Sequence, residues 1–291
     1  MIASPAYLRP DRLDSALAEL AHAPCTVVAG GTDVYPAFVG TEPGGRLLDV
    51  SLLPGVRGID IRADSNEVRI GALTTWSDLV RTALPPFARA LMQAAGEVGG
   101  VQIQNRGTVG GNLCNASPAA DGIPPLLALN ARVQLSSLRG QRELPIERFV
   151  LGNRRTALAT DELLTAIVIP ARSPRGVSTF LKLGHRRYLV ISIVMVAVTL
   201  DFDATDRVSA CGIGVGACSA VARRLADLER ALLGVARADV PVVARRLLAA
   251  DDALAPLAPI DDIRATGVYR LAAARCLLER ALSELAAERS A

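Results

Sequence analysis

The chain has 291 residues, 51% hydrophobic and 21% charged, with 32 Lys and Arg against 29 Asp and Glu, which is the size of two domains or slightly more with an ordinary globular balance. The arginines are scattered and aromatic residues make up only 3%, which argues against the basic patches and stacking platforms of a nucleic-acid binder. Five cysteines with no CxxC pair, and two distant histidines, His22 and His185, give no support to a disulfide framework, a metal site or a histidine-based triad.

Arg12 to Ala21 carries Leu13, Ala16, Leu17 and Leu20 at helical spacing, with Asp11 or Asp14 as cap. Thr26 to Ala29 is β-prone and runs into Gly30-Gly31-Thr32-Asp33, a turn signal; a short helix over Val34 to Val39 and a strand at Leu47 to Val50 follow. Glu67 to Gly71 alternates as a strand does. Thr75-Trp76-Ser77-Asp78 has the form of a capping box. Pro85 to Val98 reads as a helix with proline at its start. Gly99 to Asp121 holds too much Gly, Asn and Ser for a helix, and its apolar residues are too isolated for a simple strand. Ile123 to Leu129 reads as a helix and Ala131 to Ser136 as a strand.

Beyond the linker Ser173-Pro174-Arg175-Gly176 the character changes. Val177 to Lys182, Ile191 to Phe202 and Val208 to Gly216 read as three strands, and Ala220 to Leu233, Val240 to Ala249 and Thr266 to Ala287 as helices, an α+β domain. The most apolar stretch, Leu189 to Leu200, is shorter than the roughly 20 residues a membrane helix needs. It reads as a buried strand. The first residues do not have the form of a signal peptide, so the chain is expected in the cytoplasm.

Two segments carry the chemistry. In Ala29-Gly30-Gly31-Thr32-Asp33 a strand feeds two glycines ahead of a helix, so successive N–H groups can face an anion such as a pyrophosphate. Thr108-Val109-Gly110-Gly111-Asn112 repeats that chemistry. Together the two make a clamp with two walls; the plain alternative for each is a tight turn. Asp121 has two readings, an acceptor for ribose or ribityl hydroxyls or a cap for the helix at Ile123. Asn115 and Ser117 bond either a ligand or their own loop. Gly212-Ile213-Gly214-Val215-Gly216 lacks the spacing of a dinucleotide fingerprint and reads as a strand with close backbone packing.

With AGGTD at Ala29 to Asp33, IGALTTW at Ile70 to Trp76, TVGGNLCNASPAAD at Thr108 to Asp121, LLTAIVIP at Leu163 to Pro170, and Lys182 with Arg186-Arg187, the chain resembles the FAD-binding medium subunits of the molybdenum hydroxylases, of the carbon monoxide dehydrogenase and xanthine dehydrogenase type. The resemblance runs over nearly the whole chain. It implies an α+β fold: two FAD-binding subdomains of the vanillyl-alcohol oxidase (PCMH) type at 1–55 and 56–172, then a C-terminal α+β domain at 177–291 with a three-stranded antiparallel sheet and helices. FAD would lie between the subdomains. Ala29, Gly30, Gly31, Thr32, Asp33, Thr108, Gly110, Gly111, Asn112, Asp121, Leu164 and Lys182 would bind it. Lys182 matches a family lysine near the flavin; its plain alternative is a surface lysine at the domain boundary.

The resemblance also implies an oxidoreductase with no catalytic acid–base pair and no metal on this chain. FAD would be held non-covalently, because His22 and His185 lie outside the glycine motifs. The molybdenum cofactor would sit on a large partner subunit and two [2Fe–2S] clusters on a small one, in a dimer of heterotrimers. Electrons would pass from the clusters through this subunit to an external acceptor. Gln104 stands where the family often has Arg. A stand-alone flavin reductase of the same broad fold and a flavin-free assembly subunit are the rival readings.

Overall fold

The computed structural model describes residues 6–40 and 45–288, so the outermost residues of the first and last expected domains lie outside it. Three main sheets organise the chain.

The first sheet is parallel. Its order of elements is β1 (Ala6–Leu8), α1 (Leu13–His22), β2 (Cys25–Val28), α2 (Val34–Ala37) and β3 (Arg46–Asp49), with β3 between β1 and β2. Ala16, Leu17 and Leu20 form one face of α1 and pack with Leu48 and Val50. The N-cap of α1 is Arg12, without a side-chain capping bond, so neither Asp11 nor Asp14 caps it. Asp14 instead lies in the first turn, where its charge suits the helix dipole. β1 carries no periodicity and escaped the sequence. It is pinned by Asp49, whose carboxylate accepts from the Tyr7 hydroxyl and lies beside Arg9.

The second sheet is antiparallel. It begins with β4 (Ile59–Ile61) and β5 (Val68–Gly71), followed by α3 (Trp76–Arg81), α4 (Arg89–Glu97), α5 (Val101–Arg106), α6 (Val109–Asn115) and α7 (Ile123–Ala128). Then come β6 (Arg132–Ser137), β7 (Gly140–Pro145), α8 (Ile146–Phe149), the hairpin β8 (Val150–Gly152) and β9 (Arg155–Thr156), and β10 (Leu163–Ile169). The order in space is β4-β5-β10-β6-β7. The capping box of α3 forms as expected, with Thr75 and Asp78 exchanging side-chain and backbone bonds. The segment Gly99 to Asp121, expected to be irregular, contains α5 and α6. Their weak propensity is overridden from outside: Trp76 N–H donates to Gly107 O, and Val109 and Gly110 N–H donate to Thr74 and Ala72 O.

The third sheet is antiparallel, β11 (Val177–Leu183), β12 (Val194–Phe202), β13 (Val208–Gly216) and β14 (Arg223–Arg224), followed by α9 (Ala226–Leu232), α10 (Val240–Leu248) and α11 (Gly267–Ala287). The three expected strands are present, and a two-residue fourth at the edge delays the next helix from Ala220 to Ala226. β12 is buried along its whole length. Val194, Val196, Val198 and Leu200 pack with Ala274 and Leu278 of α11, and Met195 and Ala197 with Ala90, Ala94 and Ala128. Burial on both faces explains why this strand reads as a continuous apolar run. No described helix is long and apolar enough to cross a membrane.

Candidate functional site

β2 ends at Val28, and the chain turns through Ala29 to Asp33 into α2. Gly31 has φ +73°, and the ring of Tyr35 lies 2.4 Å from where a Cβ would stand. At Gly30 a Cβ would lie 1.8 Å from the Arg106 carbonyl oxygen, so only glycine lets this turn abut the end of α5. Among the described residues, the N–H groups of Gly30, Gly31, Thr32 and Asp33 meet no acceptor. Four successive vacant donors are an anion-binding arrangement.

The facing wall is the start of α6. Thr108 caps it, its Oγ1 accepting from Gly111 N–H at 3.0 Å, while Gly110 N–H donates to Ala72 O at 2.9 Å. The amides of Gly110 and Gly111 are therefore already bonded within the chain. What these glycines provide is approach: a Cβ on Gly110 would lie 2.7 Å from Ala72 O. Asn112 Oδ1 is buried and has no partner, a costly state for an amide oxygen until a donor arrives. Asn115 Nδ2 reaches across to Asp33 Oδ1 at 3.1 Å.

Between the walls lies a cavity of about 310 Å³. Ala29, Gly30, Gly31, Thr32, Asp33, Thr108, Gly110, Gly111, Asn112 and Leu164 all line it, with Trp76, Val98, Ile103 and Leu158 supplying apolar surface. The last four escaped the sequence reading as site residues; Trp76 alone had a signal, from its place in a quoted motif. A polar cavity of about 420 Å³, lined in part by Arg9, Arg57 and Arg106, backs onto the same Gly30 turn. Cys114 lines the cleft and is exposed to it, while the protein packed around it pushes its thiol up to about 12.

Asp121 and Lys182 do not line the cavity. Asp121 leaves the start of α7 uncapped. Its carboxylate instead accepts from Lys182 Nζ and from Ser192 Oγ, each at 2.7 Å. Lys182 is buried, not a surface lysine, and also donates to Glu97 O at 3.2 Å, one residue before cavity-lining Val98. Burial pushes the Asp121 carboxyl up from its ordinary value, against the downward pull of Lys182. Gln104 donates to Gly96 O, away from the cleft.

Vacant amides for a diphosphate, a turn closed to any Cβ, an unpartnered amide oxygen and an apolar floor for a planar ring together fit a dinucleotide cofactor. Residues 3–172 match the model of the FAD binding domain in molybdopterin dehydrogenase, and residues 179–285 that of the CO dehydrogenase flavoprotein C-terminal domain. The chain is 34% identical over 205 residues to the nicotinate dehydrogenase FAD-subunit of Eubacterium barkeri, covering 68% of this chain and 69% of that one. It is 31% identical over 266 residues to the nicotine 6-hydroxylase medium subunit of Paenarthrobacter nicotinovorans, covering 90% and 89%. Among solved structures it superposes on a chain of carbon monoxide dehydrogenase from Hydrogenophaga pseudoflava with a TM-score of 0.84 at 27% identity, over 97% of each chain.

Proposed function

The chain belongs to the molybdopterin dehydrogenase family as an FAD-binding subunit of the molybdenum hydroxylase kind, and from that premise we propose that it carries electrons from [2Fe–2S] clusters of a small partner subunit to an external acceptor. On this reading the molybdenum cofactor sits on a large partner subunit, and the assembly is a dimer of heterotrimers in the cytoplasm. FAD, when bound, supplies the capacity to take up and release an electron pair.

The chain's own residues bind and orient the cofactor. The vacant N–H groups at Gly30 to Asp33 receive the pyrophosphate, and Asn112 offers its unpartnered oxygen to a donor on the cofactor. Thr108 orders the second wall by capping α6. Leu164, Val98 and Trp76 exclude water along the floor. Asp121 and Lys182 form a buried ion pair that reaches Glu97 O, next to cavity-lining Val98, and the ammonium held there would favour negative charge on a ring bound in the cavity. His22 and His185 lie outside the cavity, in keeping with non-covalent binding. Residues 1–55 and 56–172 are assigned as the two cofactor-binding units and 177–291 as the third domain, a division supported by the three sheets.

The observation that carries the reading is the row of vacant amides facing a glycine-lined wall. The test is the visible spectrum of the full chain, purified alone and with the products of neighbouring genes. Flavin bands in the first sample, and iron–sulfur absorbance added in the second, are the expected result. A folded, colourless chain that takes up no FAD overturns it.

A further inference from the structure

We propose that the hydrogen bond between Asn115 and Asp33 is a clasp across the mouth of the cleft that sets the rate at which FAD enters and leaves; the proposal rests on the FAD reading above. Asn115 Nδ2 donates to Asp33 Oδ1 at 3.1 Å, and both residues line the cavity, one from each wall. Among the described residues this is the one hydrogen bond that joins residues 6–55 to residues 56–172. Otherwise the two segments meet through packing: Val56, Leu73 and Leu163 lie against Ala16, Leu17 and Leu48, and the Gly30 turn abuts the Arg106 carbonyl. Apolar packing is non-directional and tolerates small relative motion. A hydrogen bond has a narrow range of length and angle and fixes the gap it spans.

Neither side chain is committed to its own helix. Asp33 stands at the N-cap of α2 and makes no capping bond, although aspartate is among the favoured caps. Asn115 is the last residue of α6, and its amide crosses the cleft rather than bonding the helix end. The next residue, Ala116, takes φ 46° without being glycine, a conformation disfavoured for any residue with a Cβ. Ala116 is buried in the core and its carbonyl accepts from Arg154 N–H. The helix end is thus anchored in an unfavourable turn that places Asn115 opposite Asp33. A cofactor that lies between the walls must pass this bond or part it.

The clasp has a kinetic signature. With Asn115→Ala, the rates of FAD association and of dissociation from the full chain both rise, each about threefold to tenfold, the scale of one ordinary hydrogen bond. The dissociation constant changes less than either rate. Asp33→Ala behaves in the same way, and the double variant shows no further rise, because the two residues act as a unit. Stopped-flow flavin fluorescence gives the association rate, and transfer to an excess of an unrelated apoflavoprotein gives the dissociation rate. In the FAD-free Asn115→Ala chain, amide hydrogen exchange at Tyr35 and Phe38, whose N–H groups are bonded to Gly31 O and Tyr35 O, is faster than in the wild type.

A rise in dissociation alone makes Asn115 an ordinary ligand contact and overturns the clasp. Rates equal to wild type, or additive effects in the double variant, overturn it as well. A wild-type chain that binds no FAD overturns the reading beneath the clasp. The exchange measurement still reports then whether Asn115 joins the two walls, so the two failures are distinguishable.

Discussion

Two glycine-rich stretches solve the same steric problem to different ends. At the cleft, Gly30 abuts the Arg106 carbonyl and Gly110 abuts Ala72; on β13, a Cβ on Gly212 or Gly214 would lie 2.0 Å from Ala128 O or 2.3 Å from Pro124 O. All four let one backbone press against another. The β13 glycines are closed in, with α7 above them and β12 at their side, and Gly214 also has β14 on its other side. The cleft glycines have a neighbour on one side and a cavity on the other. Glycine therefore marks close backbone approach in both places, and the open face alone separates a binding wall from a packing contact.

Substitutions break the comparison apart. Gly214→Val drives a side chain into the backbone of α7, which has no room to yield. The chain should lose about 3 kcal/mol or more of stability, read by urea denaturation, with flavin lost only in proportion to the unfolded fraction. Gly111→Ala should do the reverse. Its Cβ meets only Thr108 Oγ1, at 2.8 Å, and alanine is the better helix former by up to about 1 kcal/mol. Stability then stays within about 1 kcal/mol of wild type, while FAD binding weakens about tenfold, a difference of about 1.4 kcal/mol, read by fluorescence titration. Equal losses of stability in the two variants would remove the distinction between the walls. Thr199→Val is milder. It removes the hydroxyl that donates to Ala128 O at 3.0 Å beside Gly212, which costs about 1 kcal/mol and leaves the FAD titration unchanged.

The comparison also shows what the sequence could carry. Helices with a periodic apolar face and a sound start were legible: α1 from Leu13, Leu17 and Leu20, and α3 from its capping box. The glycine pairs were legible as close-approach points, and so was β13 as packing rather than fingerprint. α5 and α6 were not, because Trp76, Thr74 and Ala72 hold them, residues far away in sequence. The state of individual amides was hidden too. Nothing local distinguishes Gly31, whose N–H is vacant, from Gly110, whose N–H is bonded to Ala72. Asp121 looked like a cap because Ile123 and two prolines follow it, and the partner that claims it, Lys182, lies on another sheet.

Asp121 and Glu162 extend the contrast to pH, with the smallest expected effect. Burial raises the Asp121 carboxyl above its ordinary 3.8, despite Lys182 and Ser192. The folded chain then holds that proton more tightly than the unfolded one. The contribution to stability is full below 3.8 and is lost as pH rises through the folded value. Glu162 has the opposite sign. Its two bonds from Arg142 hold it below its ordinary 4.5, so its contribution is full above 4.5 and is lost as pH falls through the folded value. Asp121→Asn removes this titrating group and its proton linkage. The change in slope is the readout. Above 3.8, where Asp121 no longer opposes the other carboxylates, stability climbs more steeply with pH than in wild type. Glu162→Gln makes the acid-side loss below 4.5 shallower. Urea midpoints across the acid range compare the two, and slopes that move in the same direction would show that the Asp121 carboxyl is governed by Lys182 rather than by burial.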